Sequence, residues 1–156
     1  YQIISQRPDY NFVFTGPEDD GFRQHRIHSL KNAYFTGQKK VDELPAYITA
    51  YDVCINPQMV NDITDGNYPL KIDEYLAMGK PTVATSTHTM RNIFADHTHL
   101  ATNLGEWLSA IDRAVTEADD KKLAKQRIAF AETHSWGHSV KKIYGIIDNF
   151  LKEKAT

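Results

Sequence analysis

A single cysteine, Cys54, occurs in 156 residues. An intramolecular disulfide is thereby excluded, and this usage fits a reducing, cytoplasmic compartment. No apolar run approaches the about 18 residues a membrane-spanning helix needs. Neither sign of charge is in excess. The 18 Lys and Arg stand against 20 Asp and Glu, a formal net charge of −2. A strongly basic nucleic-acid binder is therefore not the first reading. Repeats, low-complexity stretches and a basic-then-apolar leader are also lacking, and the first residue is Tyr1 rather than Met. On those grounds the chain reads as a piece of a longer protein or a processed product. What remains is 41% hydrophobic and 24% charged, the balance of one soluble globular domain over residues 1–156. That length buries a core without a disulfide or metal staple.

Short apolar runs alternate with helical patterns. Asn11–Thr15, Ala33–Thr36, Val53–Ile55, Thr82–Thr85 and His99–Ala101 read as strands. The first ends at Gly16-Pro17, the second at Gly37 and the third at Asn56-Pro57. Helical spacing marks Val41–Tyr51, with Pro45 in a tolerated first turn, then Leu104–Val115, Lys121–Glu132 and Val140–Leu151. Phe22–Leu30 is expected to be a short helix. The clearest helix is Pro69–Met78, opened by a proline, followed by Gly79 and stopped by Pro81. This alternation predicts an α/β fold, a Rossmann-like open parallel sheet with helices on both faces. In such sheets ligands bind beyond the carboxyl ends of the strands. That rule points to the loops holding Gly16, Gly37, Asn61–Tyr68 and Ser86.

One segment carries chemistry. A helix start has unpaired N–H groups and a positive dipole end, so it attracts anions. Lys71 sits in that first turn, against the dipole, at a local cost of about 0.3–1 kcal/mol. A phosphate bound there would account for the placement. Glu74, one turn on, offers about four lone-pair sites to a pair of sugar hydroxyls. The plain alternative is a solvated i,i+3 pair worth about 0.2–0.5 kcal/mol.

Pro69-Leu70-Lys71-Ile72-Asp73-Glu74-Tyr75-Leu76-Ala77-Met78-Gly79-Lys80-Pro81-Thr82-Val83-Ala84-Thr85 resembles the C-terminal signature of group 1 glycosyltransferases of the GT-B fold. Phe12–Gly16, Tyr34–Gly37, Glu43–Ile48, Tyr51–Pro57 and His134-Ser135-Trp136 resemble further segments of the same domain. The resemblance implies one half of a GT-B fold. It would bind a nucleotide-diphosphate sugar, with UDP favoured by family frequency, and transfer the sugar to a glycan or lipid-linked acceptor. The transfer would retain configuration and need no divalent metal or other cofactor. By the same resemblance Glu74 holds the ribose and Lys71 acts on the diphosphate. The N–H groups of Leu70 and Lys71 face the phosphates, and Thr85 and Ser86 line the cleft. The family's first glutamate falls on Gly66 here, with Asp65 beside it and Asp62 as the next candidate. By the same resemblance the opening strand of the domain and the whole acceptor domain would lie upstream of Tyr1. Tyr1–Arg7 resembles the tail of the helix after that strand, and the piece alone is expected to be inactive.

Other readings stand beside this one. A non-catalytic Rossmann-like binding or regulatory module, or a GT-B nucleotide-sugar epimerase, would share the fold; the epimerase would carry further active-site acids. His25/His28, His97/His99 and His134/His138 are close pairs, but without ligand-type spacing to cysteines or carboxylates they read as surface histidines. Cys54 reads as inert core, and Trp107 and Trp136 as packing residues. Glu18-Asp19-Asp20 reads as a solvated turn. Lys121, Lys122, Lys125 and Arg127 read as a solvated basic face, with an anionic membrane surface as the alternative. Full-length protein at the inner face of the cell membrane is compatible with that alternative.

Overall fold

Val83 and Ala84 are neighbours in one strand, both are fully buried, and they serve different cores. Successive side chains of a strand point to opposite faces, so a strand buried at every position needs cover on both. The computed structural model describes residues 1–154. Its elements are α1 (Gln2–Ser5), β1 (Phe12–Thr15), α2 (Asp20–Arg23), β2 (Ala33–Gly37), α3 (Leu44–Ala50), β3 (Cys54–Asn56), α4 (Leu70–Ala77), β4 (Thr82–Thr85), β5 (His99–Ala101), α5 (Leu104–Thr116), α6 (Lys121–Glu132) and α7 (Trp136–Lys154).

On one face, Val83 packs with Trp107, Ala110, Ile111 and Ala114 of α5, together with Ile4, Phe12 and Ile27. On the other, Ala84 packs with Ile72 and Leu76 of α4, Met90, Phe94 and Ala131. Ile72, Leu76 and Phe94 are 0% exposed. Burial of each such side chain contributes about 1.5–3 kcal/mol. The parallel α/β architecture with helices on both faces is therefore as expected.

The strands fall into two hydrogen-bonded groups rather than one sheet. β1 pairs with β2, and β3 pairs with β4, which pairs with β5; every pairing is parallel. No described strand bonds the second edge of β1 or of β3. A shared apolar cluster joins the groups, and so does the bond between Thr15 Oγ1 and the Tyr51 hydroxyl, at 2.6 Å. Arg7 Nε and Nη2 reach the Asp112 carboxylate at 2.7 and 2.5 Å, tying the start of the chain to α5.

Local chemistry explains most element ends. Asp19, Asn103 and Asp120 each accept backbone N–H groups at a helix start. Glu106 reaches back to the Thr102 N–H at 2.7 Å, reinforcing the cap of α5. α4 ends in a Schellman turn: Gly79 N–H bonds Leu76 C=O at 2.8 Å, and Lys80 N–H bonds Tyr75 C=O at 3.0 Å. Gly79 takes φ +71°, as this turn requires.

Some expectations need correction. Phe22–Leu30 is not one helix. Asp19 caps a single turn, α2, and a separate 3₁₀ turn follows at Arg26–Ser29, opened by His25. The Glu18–Asp20 turn is not simply solvated, because Glu18 lies 3.2 Å from His28 Nε2. Arg127 leaves the basic face: it is 5% exposed and pairs with Glu117, which also meets His99 Nε2 at 2.9 Å. Trp107 is 7% exposed, as expected of packing, but Trp136 is 88% exposed. Cys54 is buried, and that burial pushes its thiol pKa up to about 12.

Candidate functional site

β3 and β4 are parallel neighbours joined through α4, so α4 begins on the side of their carboxyl ends. Pro69 occupies the N-cap position and supplies no capping side chain. The N–H of Ile72 bonds Pro69 C=O at 2.8 Å, whereas those of Leu70 and Lys71 find no acceptor among the described residues. Two free donors, the dipole end and a lysine thus coincide. The Lys71 and Glu74 side chains are exposed and make no hydrogen bond or ion pair, with each other or elsewhere. The i,i+3 pair of the plain reading is not formed.

The loop leading into α4 is strapped down. Asn61 Oδ1 accepts the N–H groups of Ile63 and Thr64, both at 3.0 Å. Asp65 Oδ1 accepts the His88 N–H at 2.7 Å, and its carbonyl accepts the Thr89 N–H at 3.3 Å. Asp65 therefore holds the segment after β4, which continues as a single π-helical turn at Met90–Phe94. Thr85 is 7% exposed, and its Oγ1 accepts the Gln58 N–H at 2.7 Å. Arg91 Nη1 donates to the Ser86 carbonyl at 2.6 Å. Gly66 has a negative φ, and a Cβ built there meets nothing within 4 Å.

The predicted residues therefore form three sets. Asp65, Gly66, Thr85 and Ser86 share the strapped loop and turn. Leu70, Lys71 and Glu74 share the exposed start of α4. Gly16 and Gly37 form a pair of their own at the ends of β1 and β2, where Gly16 N–H bonds Gly37 C=O at 3.1 Å. No hydrogen bond joins this last pair to the other two sets. A hollow of about 260 Å³ lies elsewhere, among His97, His99, Glu117 and Arg127.

Sequence reasoning missed a network beside the site. Asp73, on α4, accepts the Tyr68 hydroxyl at 2.6 Å and meets His134 Nδ1 at 2.9 Å. Burial first, and the Asp73 carboxylate second, raise the Tyr68 pKa. His134 packs edge-on against Phe130 and Phe94, so α6 is pinned to the first turns of α4. It also missed Lys80, whose Nζ donates to the Thr49 carbonyl at the end of α3, at 2.7 Å. No spacing rule links residues 61 or 31 positions apart; only the fold brings them together.

Comparison with known proteins agrees with this architecture. The sequence profile described as "Glycosyl transferases group 1" matches residues 1–124. The putative teichuronic acid biosynthesis glycosyltransferase TuaH of Bacillus subtilis (strain 168) is 28% identical over 138 residues. That alignment covers 84% of this chain and 34% of the relative, so the chain spans about a third of that protein's length.

Proposed function

Because this chain belongs to the group 1 glycosyltransferases, we propose that it is the donor-binding half of an enzyme that moves a sugar from a nucleotide-diphosphate sugar to a glycan or lipid-linked acceptor. The observation that carries the reading is the start of α4. There the N–H groups of Leu70 and Lys71 and the Lys71 ammonium have no protein partner. They stabilise negative charge on the departing diphosphate, where it grows during transfer. Glu74, one turn on and equally unpartnered, accepts the ribose hydroxyls. The transfer retains configuration and uses no divalent metal; the absence of an Asp-x-Asp signature in the sequence supports the metal-free route.

The acceptor and the residues that face it belong to a second domain. The unpaired edges of β1 and β3 support a further strand ahead of α1. Donor binding by this piece is correspondingly weak, and catalysis by it alone is absent. UDP is the favoured nucleotide, and the working compartment is the cytoplasm.

An amide NMR titration of the chain with UDP, GDP and their sugars tests the reading. Perturbation centred on Leu70, Lys71 and Glu74 is expected, stronger for UDP. No response to any of these ligands, or a response confined to the His99–Arg127 hollow, overturns it.

A further inference from the structure

α4 starts without the device that opens α2, α5 and α6. Asp19, Asn103 and Asp120 cap those helices with side-chain oxygens, whereas Pro69 has none to offer. An ordinary cap accepts the N–H of the second or third helical residue, here Lys71 or Ile72. It would steady the first turn and, at Lys71, occupy a donor that a diphosphate needs. Helix ends left to themselves fray, and a fraying N–H is not held where charge develops. The first turn of α4 therefore needs support that leaves its donors free.

Tyr68, Asp73 and His134 supply that support. Tyr68 stands just before the N-cap and Asp73 is the fourth helical residue, the two positions an apolar staple links in other helices. Here the link is a hydrogen bond from the Tyr68 hydroxyl to Asp73 Oδ2 at 2.6 Å. The second carboxylate oxygen, Oδ1, takes His134 Nδ1 at 2.9 Å, from the turn after α6. Both ends of the brace rest on the core. The Tyr68 ring centre lies 5.5 Å from that of Phe94, and the His134 ring centre 5.8 Å from it; Phe94 is fully buried. Burial, and then the Asp73 carboxylate, raise the Tyr68 pKa, so the hydroxyl keeps the proton it donates. None of these contacts takes the N–H of Leu70 or Lys71.

We propose that Asp73 is a positioning residue for the donor: through Tyr68 and His134 it fixes the first turn of α4, so that the N–H groups of Leu70 and Lys71 stay aimed at the diphosphate. This role rests on the donor-binding reading of α4 and adds to it the residue that holds the site in shape. Asp73 acts through its two neighbours and not on the donor itself.

The test uses amide NMR on the chain, with UDP as the probe. Tyr68→Phe keeps the ring against Phe94 and removes only the hydroxyl. It should lower the amide order parameters of Leu70 and Lys71 without ligand, and leave the core amides and the melting temperature as they were. Its UDP affinity should fall by about fivefold, the usual worth of one hydrogen bond. Asp73→Ala should do at least as much. Asp73→Asn should restore most of the order and affinity, because its amide can accept from Tyr68 and donate to the other tautomer of His134.

Wild-type order and UDP affinity in Tyr68→Phe overturn the proposal and leave the donor reading standing, provided the unaltered chain responds to UDP. An unaltered chain that does not respond takes down the donor reading and this role together. Asp73→Asn as impaired as Asp73→Ala also overturns it, since charge and not geometry would then be the contribution. So does a loss of affinity in Tyr68→Phe that comes with a lower melting temperature and unchanged order at Leu70 and Lys71, which marks a purely structural part.

Discussion

Lys71 and Glu74 lie one turn apart on a helix, oppositely charged and exposed, yet the fold gives neither a partner. Since they carry no internal contact, replacing them should affect ligand binding and leave stability alone. In the complete enzyme, Glu74→Ala should weaken nucleotide-sugar binding by about 1.5–3 kcal/mol, the worth of hydrogen bonds to a charged acceptor. Calorimetry showing unchanged affinity would remove Glu74 from the ribose. Lys71→Ala should lower kcat more than it raises KM, if the ammonium meets charge that grows on the diphosphate. An equal effect on both would mark simple ground-state binding. Gly66 offers the reverse test. Its φ is negative and a side chain there is unobstructed, so Gly66→Glu should leave the melting temperature unchanged while supplying the carboxylate that the resemblance implies for that place. A drop in melting temperature would show that the loop cannot take it.

At the scale of elements, α4 depends on its end as much as on its start. Gly79 closes the Schellman turn at φ +71°, and a Cβ there would come 3.1 Å from the Ala124 Cβ of α6. Gly79→Val should therefore destabilise the fold by about 1–2 kcal/mol through backbone strain alone, with crowding against α6 added. A wild-type melting temperature would refute the cap. Most of these element ends were legible beforehand, since Pro69, Gly79 and Pro81 act on their own neighbours in the chain. The helix expected over Phe22–Leu30 was not. There a local apolar pattern competes with two local caps, Asp19 and His25, and the caps split it into separate turns. α7 shows the opposite failure of a simple rule. Its periodicity was plain, but periodicity says that a face seeks cover and not where the cover lies, so Trp136 stands exposed.

At the scale of the whole molecule, stability responds to acid through three carboxylates, one joining distant segments, Arg7 to Asp112, and two capping helices locally. Arg7 holds the Asp112 pKa below the usual aspartate range, and the Thr102 and Leu123 N–H groups do the same for Glu106 and Asp120. Each folded-state value lies below the unfolded one. These groups therefore add stability above the ordinary carboxylate pKa of about 4, and that stability is lost as pH falls through the folded-state values. The melting temperature should be flat near neutrality and fall steadily below about pH 4. Asp112→Asn should lower the neutral plateau slightly, the pair being partly exposed to solvent, and flatten the acid slope. An acid slope identical in the variant would show that the Arg7 contact does not couple to folding.

Alternation of short apolar runs with helical spacings settled the α/β class of this chain, and Pro69, Gly79 and Pro81 settled the limits of α4, because those signals act between residues close in sequence. The resemblance in Pro69–Thr85 pointed to the family in the same way. Only the tertiary structure decided that β1 and β3 do not pair, that Asp65 holds the segment after β4, and that Asp73 lies between Tyr68 and His134. Those outcomes depend on which surfaces meet once the two cores close around Val83 and Ala84, and no local pattern encodes that meeting.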